Sequence, residues 1–159
     1  MAAGPGREAR AAEGEAEVIY ILDTDLYSLS VLPDSPEYLL IHAKALELSA
    51  GDRLVTTIIT YEEQTRGWLG YAAKSRDLGH QVKAYARLKR HLLNYLSFEV
   101  MDFGEGAARA FERLRGLRVG TLDLKIAAIA LSENAVVVTR NVRDFGKVPG
   151  LQVEGWTKS

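Results

Sequence analysis

At four places in this 159-residue chain carboxylates border apolar stretches, the placement from which acids on separate elements converge on one point. Asp23 ends the β-branched run 18–22, and Glu62 and Glu63 follow the run 54–59. Asp123 opens an apolar helix, and Asp144 comes shortly after the run 135–138. Oxygen donors gathered in this way suit a hard divalent cation such as Mg2+ or Mn2+. Such a site activates water and stabilises a leaving oxygen in phosphodiester hydrolysis, with one metal or two, and needs no nucleophilic side chain.

Each acid also has a purely structural use. An acid ending a buried strand is costly to leave unpaired, which favours a ligand role for Asp23 over an Asx-turn or N-cap. Thr24 and Asp25 follow directly and are expected to orient the site. Neighbouring helical residues point about 100° apart, so Glu62 and Glu63 cannot both face one cleft. Glu63 shares a face with Gly67 and, roughly, Gly70, where small residues leave room for a substrate strand, and it is preferred. Thr60 is the expected N-cap of that helix, so a capping box competes for the Glu63 carboxylate. Asp123, with Thr121 beside it, falls in a first turn, where the helix dipole favours an acid whatever its function. Beyond the fourth strand Thr139, Asn141 and Asp144 either serve the site or make turns. Arg140 and Arg143 either hold phosphate or are surface cations. His42, His80 and His91 have no ligand spacing and are expected at the surface or an interface.

The elements that must carry these groups alternate. Strands are expected at 18–22, 54–59, 98–101, 135–138 and 151–153, with helices between them. Pro33 and Pro36 close a short helix or loop, and Ser35 or Asp34 caps the next helix, where Leu39, Ala43, Leu46 and Ala50 recur at helical spacing. Leu78, Val82, Tyr85, Leu92 and Leu96 stripe a longer helix whose other faces are basic. Gly116 is the expected stop of a helix through Ala108, Phe111 and Leu114. The segment 122–131, apolar nearly all round, is expected at the centre. Such alternation implies an α/β three-layer helix–sheet–helix sandwich with a mainly parallel sheet.

Composition bounds the rest. The length is that of one domain with a proper core. The absence of cysteine excludes disulfides, thiolate zinc sites and cysteine nucleophiles, and suits a reducing cytoplasm. No apolar run approaches the ~20 residues that span a bilayer, so no membrane partner is expected. Residues 1–17 lack the apolar core of a secretory signal and read as a disordered extension before a domain at 18–159. The net charge is −1, but residues 64–95 hold seven Lys and Arg against Asp77 alone, a +6 window that leaves −7 elsewhere. A basic flank that includes Arg87, Lys89 and Arg90 beside an acidic cleft fits a polyanion such as RNA, a solvated helix face being the plainer reading.

The motifs Ile21-Leu22-Asp23-Thr24-Asp25, Ile59-Thr60-Tyr61-Glu62-Glu63 with Gly67, the block 120–128 and the block 138–145 followed by 148–151 together resemble the PIN domain family, and within it the VapC toxins of bacterial type II toxin–antitoxin systems. The resemblance runs from Val18 to about Trp156. It implies a metal-dependent endoribonuclease in which Asp23, Glu63, Asp123 and Asp144 hold Mg2+ or Mn2+, usually a homodimer, inhibited by a small antitoxin whose segment enters the cleft. Asp25 stands where that family most often has Asn, and Asn141 shares or replaces the role given to Asp144. Residues 21–25 also resemble the Asp-x-Asp motif of haloacid-dehalogenase-type phosphatases, with Asp23 as nucleophile and Asp25 as acid/base. That family expects a paired acidic motif after a late strand and a longer chain, and neither is present. A PIN-like RNA-binding module without activity is the non-enzymatic alternative.

Overall fold

The computed structural model describes residues 17–158, so the expected extension, apart from Glu17, lies outside the described residues. Five parallel strands run β1 (Ile19–Leu22), β2 (Arg53–Thr57), β3 (Val100–Met101), β4 (Val136–Val138) and β5 (Gln152–Glu154). Their spatial order is β3-β2-β1-β4-β5. Ile21 pairs with Val55 on one side and with Val137 on the other, so β1 is the centre of the sheet. The chain leaves β1 toward β2 and later returns to β4 on its opposite edge, so β1 is the topological switch point where such sheets place ligands.

Alternation along the strands feeds two cores. Ile21, Val55 and Val137 point to one face, against α5 (Glu105–Leu114) and α6 (Thr121–Ser132). Tyr20, Leu22, Val136 and Val138 point to the other, against α1 (Thr24–Ser30), α2 (Pro36–Leu46), Tyr95 of α4 (Leu78–Leu96) and Trp156. The helix–sheet–helix sandwich expected from the sequence is thus the observed one. Between the layers, α3 (Ile58–Lys74) gives Ile59 to the first core and Tyr61 to the second. A one-turn helix, α7 (Val142–Phe145), follows β4. As expected, α6 is central, with every residue from Ile126 to Ala130 fully buried. Gly116, at φ +94°, closes α5 in the left-handed conformation that glycine adopts freely.

Two expectations are corrected, and the α4 stripe is given its orientation. The run 54–59 is not all strand: Thr57 caps α3 by accepting the Thr60 N–H at 3.2 Å, so Ile58 and Ile59 are helical. Their β-branched character mimics a strand, but Ile59 satisfies the core equally well from the first helical turn. Thr60 is therefore not the N-cap, and Glu63 lies in the second turn, outside any capping box. The stripe Leu78, Val82, Tyr85, Leu92 and Leu96 faces outward, at 52–77% exposure, while Ala84, His91 and Tyr95 form the buried face of α4. Leu39 and Leu46 of α2 are likewise 72% and 89% exposed, and Ile41 is the buried residue there. Second, His91 is a core residue. It meets the Thr65 hydroxyl at 2.8 Å and stacks on Tyr61, and burial pushes its pKa down.

Candidate active site

An open cleft of about 620 Å3 lies beyond the carboxyl ends of β1 and β4, lined by Asp23, Thr24, Asp25, Ser28, Glu63, Asp123, Arg140 and Asn141. Asp23 is at its base and only 5% exposed. It is also the N-cap of α1: one carboxylate oxygen accepts the Leu26 N–H at 2.9 Å and the other accepts the Thr139 hydroxyl. Thr139, fully buried, in turn accepts the Asn141 N–H at 2.8 Å. The capping role and the cleft role of Asp23 thus coexist, because a cap needs only one of its two oxygens.

The acids reach the cleft from three separate elements. Asp23 follows β1, Glu63 projects from α3, and Asp123 sits in the first turn of α6. Burial raises the Asp23 pKa from 3.8 to about 6, against the lowering effect of the Thr139 and Leu26 hydrogen bonds, with the Asp25 and Asp123 charges adding to the rise. The Asp123 pKa is also raised, first by burial and then by repulsion from Glu63 and Asp144. Carboxylates that raise one another in this way form a site whose charge a cation would relieve. The donors are all oxygen, as a hard divalent ion requires. Among the described residues no three His, Cys, Asp or Glu side chains enclose a cation by themselves. The donor set fits an ion that retains water and substrate oxygens in its shell, the common habit of Mg2+.

The remaining candidates divide. Asp144 does not line the cleft: it is held by Lys147 at 2.9 Å and by the Asn141 amide at 3.0 Å, contacts that lower its pKa, whereas Asn141 itself faces the cleft. Arg140 forks onto Asp25 at 2.7 and 3.2 Å and reaches Glu37 at 3.3 Å. Asp25 is therefore engaged rather than free to act as the acid/base of a phosphatase. The Thr24 hydroxyl meets that of Thr60 at 3.1 Å, tying α1 to α3 at the cleft wall. Thr121 is exposed in the first turn of α6 and outside the lining. Arg87, Lys89 and Arg90 are exposed on α4, away from the cleft. The first and last of them line a second cavity, while Lys89 lies in the outward apolar stripe. Ser28 was not among the candidates, although its i+4 spacing from Thr24 on a helix places both on one face.

The family model described as "PIN domain" matches residues 20–151. "Ribonuclease VapC1" of Haemophilus influenzae is 31% identical over 141 residues, covering 89% of this chain and all of that protein. Among solved structures, the VapBC-1 complex of nontypeable Haemophilus influenzae superposes with a TM-score of 0.68 at 31% identity, covering 89% of this chain and 100% of that one. VapBC2 from Rickettsia felis, bound to a DNA fragment from its promoter, gives 0.64 at 25% identity, with 87% and 99% covered.

Proposed function

The chain belongs to the PIN domain family, and from that premise we propose that it is a metal-dependent endoribonuclease, the VapC-type toxin of a toxin–antitoxin pair. The observation that carries this reading is the meeting of Asp23, Glu63 and Asp123, from three elements distant in sequence, in one cleft at the switch point of the sheet. The likeness to a protein named as a ribonuclease and to VapBC complexes supports the substrate and the antitoxin partner. Residues 18–159 form the nuclease domain of a cytoplasmic protein.

Asp23, Glu63 and Asp123 would hold Mg2+ or Mn2+, with Asn141 in the cleft and Asp144 behind it. When bound, the ion supplies charge neutralisation for the phosphodiester and a more acidic water. The chain's own residues do the positioning. Thr139 and the Leu26 N–H fix both oxygens of Asp23, so its carboxylate cannot rotate as charge develops. Thr24 and Thr60 hold α1 against α3, and thereby Asp23 against Glu63. Arg140, paired with Asp25 and Glu37 at the rim, places a guanidinium where a substrate phosphate enters. The exposed stripe of α4 has the spacing 4-3-4-3-4 from Leu78 through Val82, Tyr85, Lys89 and Leu92 to Leu96, the pattern of a coiled-coil seam, and supports a homodimer.

Incubation of purified, antitoxin-free protein with total cellular RNA tests the reading. Discrete fragments that require Mg2+ or Mn2+, disappear with EDTA, and are lost in Asp23→Asn and Asp123→Asn are expected. Intact RNA from folded protein with metal present would refute it.

A further inference from the structure

A second cavity, of about 410 Å3, lies between α1, α3 and α4 and adjoins the acidic cleft. Ser28 lines both, and the adjacent residues Glu63 and Gln64 face the cleft and the cavity respectively. The two differ in chemistry. Among the described residues no carboxylate lines the second cavity; its wall is Trp68, and Arg87 and Arg90 stand at its side. The Arg87 guanidinium lies 5.9 Å from the Trp68 ring centre and 5.3 Å from that of Tyr71, held over aromatic faces rather than against an acid. Gln64 is already oriented, accepting from the Tyr95 hydroxyl at 2.8 Å and donating to Ser28. Ser28 is anchored in turn by donating to the Thr24 carbonyl at 2.9 Å.

We propose that this cavity is a nucleobase subsite, taking one unstacked base of the single-stranded RNA whose neighbouring phosphate lies over Asp23, Glu63 and Asp123. The inference rests on the nuclease reading above and adds to it how a polyanion is retained beside four acids. The cleft repels RNA, so binding energy has to come from next to it. An aromatic face stacks any base, and cations without carboxylate partners follow the backbone. Trp68 is the stacking wall, Arg87 and Arg90 hold the flanking phosphates, and the Gln64 and Asn94 amides offer hydrogen bonds to the base edge. His91, buried and kept neutral, adds no charge to the floor. A single rigid link, Thr24–Ser28–Gln64, fixes the distance between the subsite and the carboxylates, so the base that is held determines which phosphate is cut.

The test uses oligo(A), oligo(C) and oligo(U) ribonucleotides, titrated with Mg2+ into the cleavage-silenced Asp123→Asn protein with and without Trp68→Ala, Trp68→Phe or Arg90→Ala. Binding is followed by anisotropy of labelled RNA and by tryptophan emission. Binding should quench the emission of the parent and not that of Trp68→Phe. Trp68→Ala should weaken binding by roughly 5- to 150-fold, the value of one base–aromatic stack, and Trp68→Phe should retain most of the affinity. One abasic nucleotide, at a single position along the strand, should cost the parent this same factor and cost Trp68→Ala nothing. Arg90→Ala, an exposed change that leaves the fold intact, should lower the salt slope by about one. Equal RNA affinity of Trp68→Ala and parent, or an abasic penalty identical in both, would overturn the subsite while RNA cleavage by the wild type leaves the nuclease reading standing. Loss of antitoxin binding by Trp68→Ala with RNA binding unchanged would overturn it in favour of a protein-docking pocket. RNA that neither binds nor is cut by the wild type would remove both readings together.

Discussion

Replacing Asp23 by Asn should abolish cleavage and yet make the protein more stable. The carboxyl of Asp23 has a folded-state pKa of about 6 against an ordinary 3.8, because burial penalises its charge more than Thr139 and Leu26 relieve it. A raised value means that the folded chain holds the proton more tightly than the unfolded one. The favourable contribution is complete below about pH 4 and is lost as the pH climbs through about 6. At pH 7 the ionised group costs about two pKa units, or ~3 kcal/mol in the metal-free protein. Asparagine caps a helix as well as aspartate does and has nearly the same shape, so the Leu26 N–H keeps its acceptor, while the Asn amide N–H2 donates to the Thr139 oxygen in place of the bond Thr139 gave, a reversal that offsets part of the gain. Asp23→Asn in EDTA should therefore gain about 1–3 kcal/mol at pH 7, a rise in Tm of roughly 2–12 °C for a domain of this size. At pH 4 the gain should vanish. The assay is thermal and urea unfolding of both proteins across pH 4–7.5, and Mg2+ should then narrow the gap by stabilising the wild type alone. A variant that is less stable than the wild type at pH 7, or a difference that does not change with pH, would refute the assignment of Asp23 as a strained, buried anion.

Thr139→Val keeps the shape and removes both the donor to Asp23 and the acceptor of the Asn141 N–H; urea unfolding at pH 7 should show a loss of about 1–3 kcal/mol. The same variant should move the acid limb of the cleavage pH profile upward, and an unmoved limb would show that Thr139 does not tune Asp23. Thr57→Ala should cost about 1–2 kcal/mol by uncapping α3, whereas Glu63→Ala, which removes any capping-box acceptor and also relieves repulsion on Asp123, should not lower stability, and chemical denaturation of the two separates the observed helix start from the capping-box alternative. Val82→Glu combined with Leu92→Glu places like charges in the exposed seam of α4; sedimentation should find the dimer proposed for the wild type reduced to a monomer, and an undisturbed dimer would locate the interface elsewhere.

Strand-like runs and their order of occurrence were plain in the sequence because β1 and β4 are buried on both faces and read as unbroken apolar stretches. Their spatial order was not, since pairing depends on crossover geometry that periodicity does not carry. The start of α3 was misread because Ile58 and Ile59 have strand character, while the capping hydroxyl of Thr57 outweighs it. The apolar periodicity of α4 gave the helix but not its orientation: spacing shows that residues share a face, not whether that face meets this chain or another. The acids were legible as a set, but the second use of Asp144, bound to Lys147, is a local i,i+3 contact that could not be told from a site role. The cavity beside Trp68 was invisible, because its walls come from three helices whose packing no motif records.

The contact between Thr139 and Asp23 spans 116 residues, and this has a consequence for how the protein is made. The central strand emerges from the ribosome first among the strands, yet its acid lacks its hydroxyl partner until β4 has been translated and has docked on β1. At roughly 5–20 residues per second the intervening segment takes about 6–23 s to synthesise. Throughout that interval Asp123 is either not yet translated or has no completed sheet to position its helix. A nascent chain of this design therefore has no assembled acidic cleft until β4 has docked on β1.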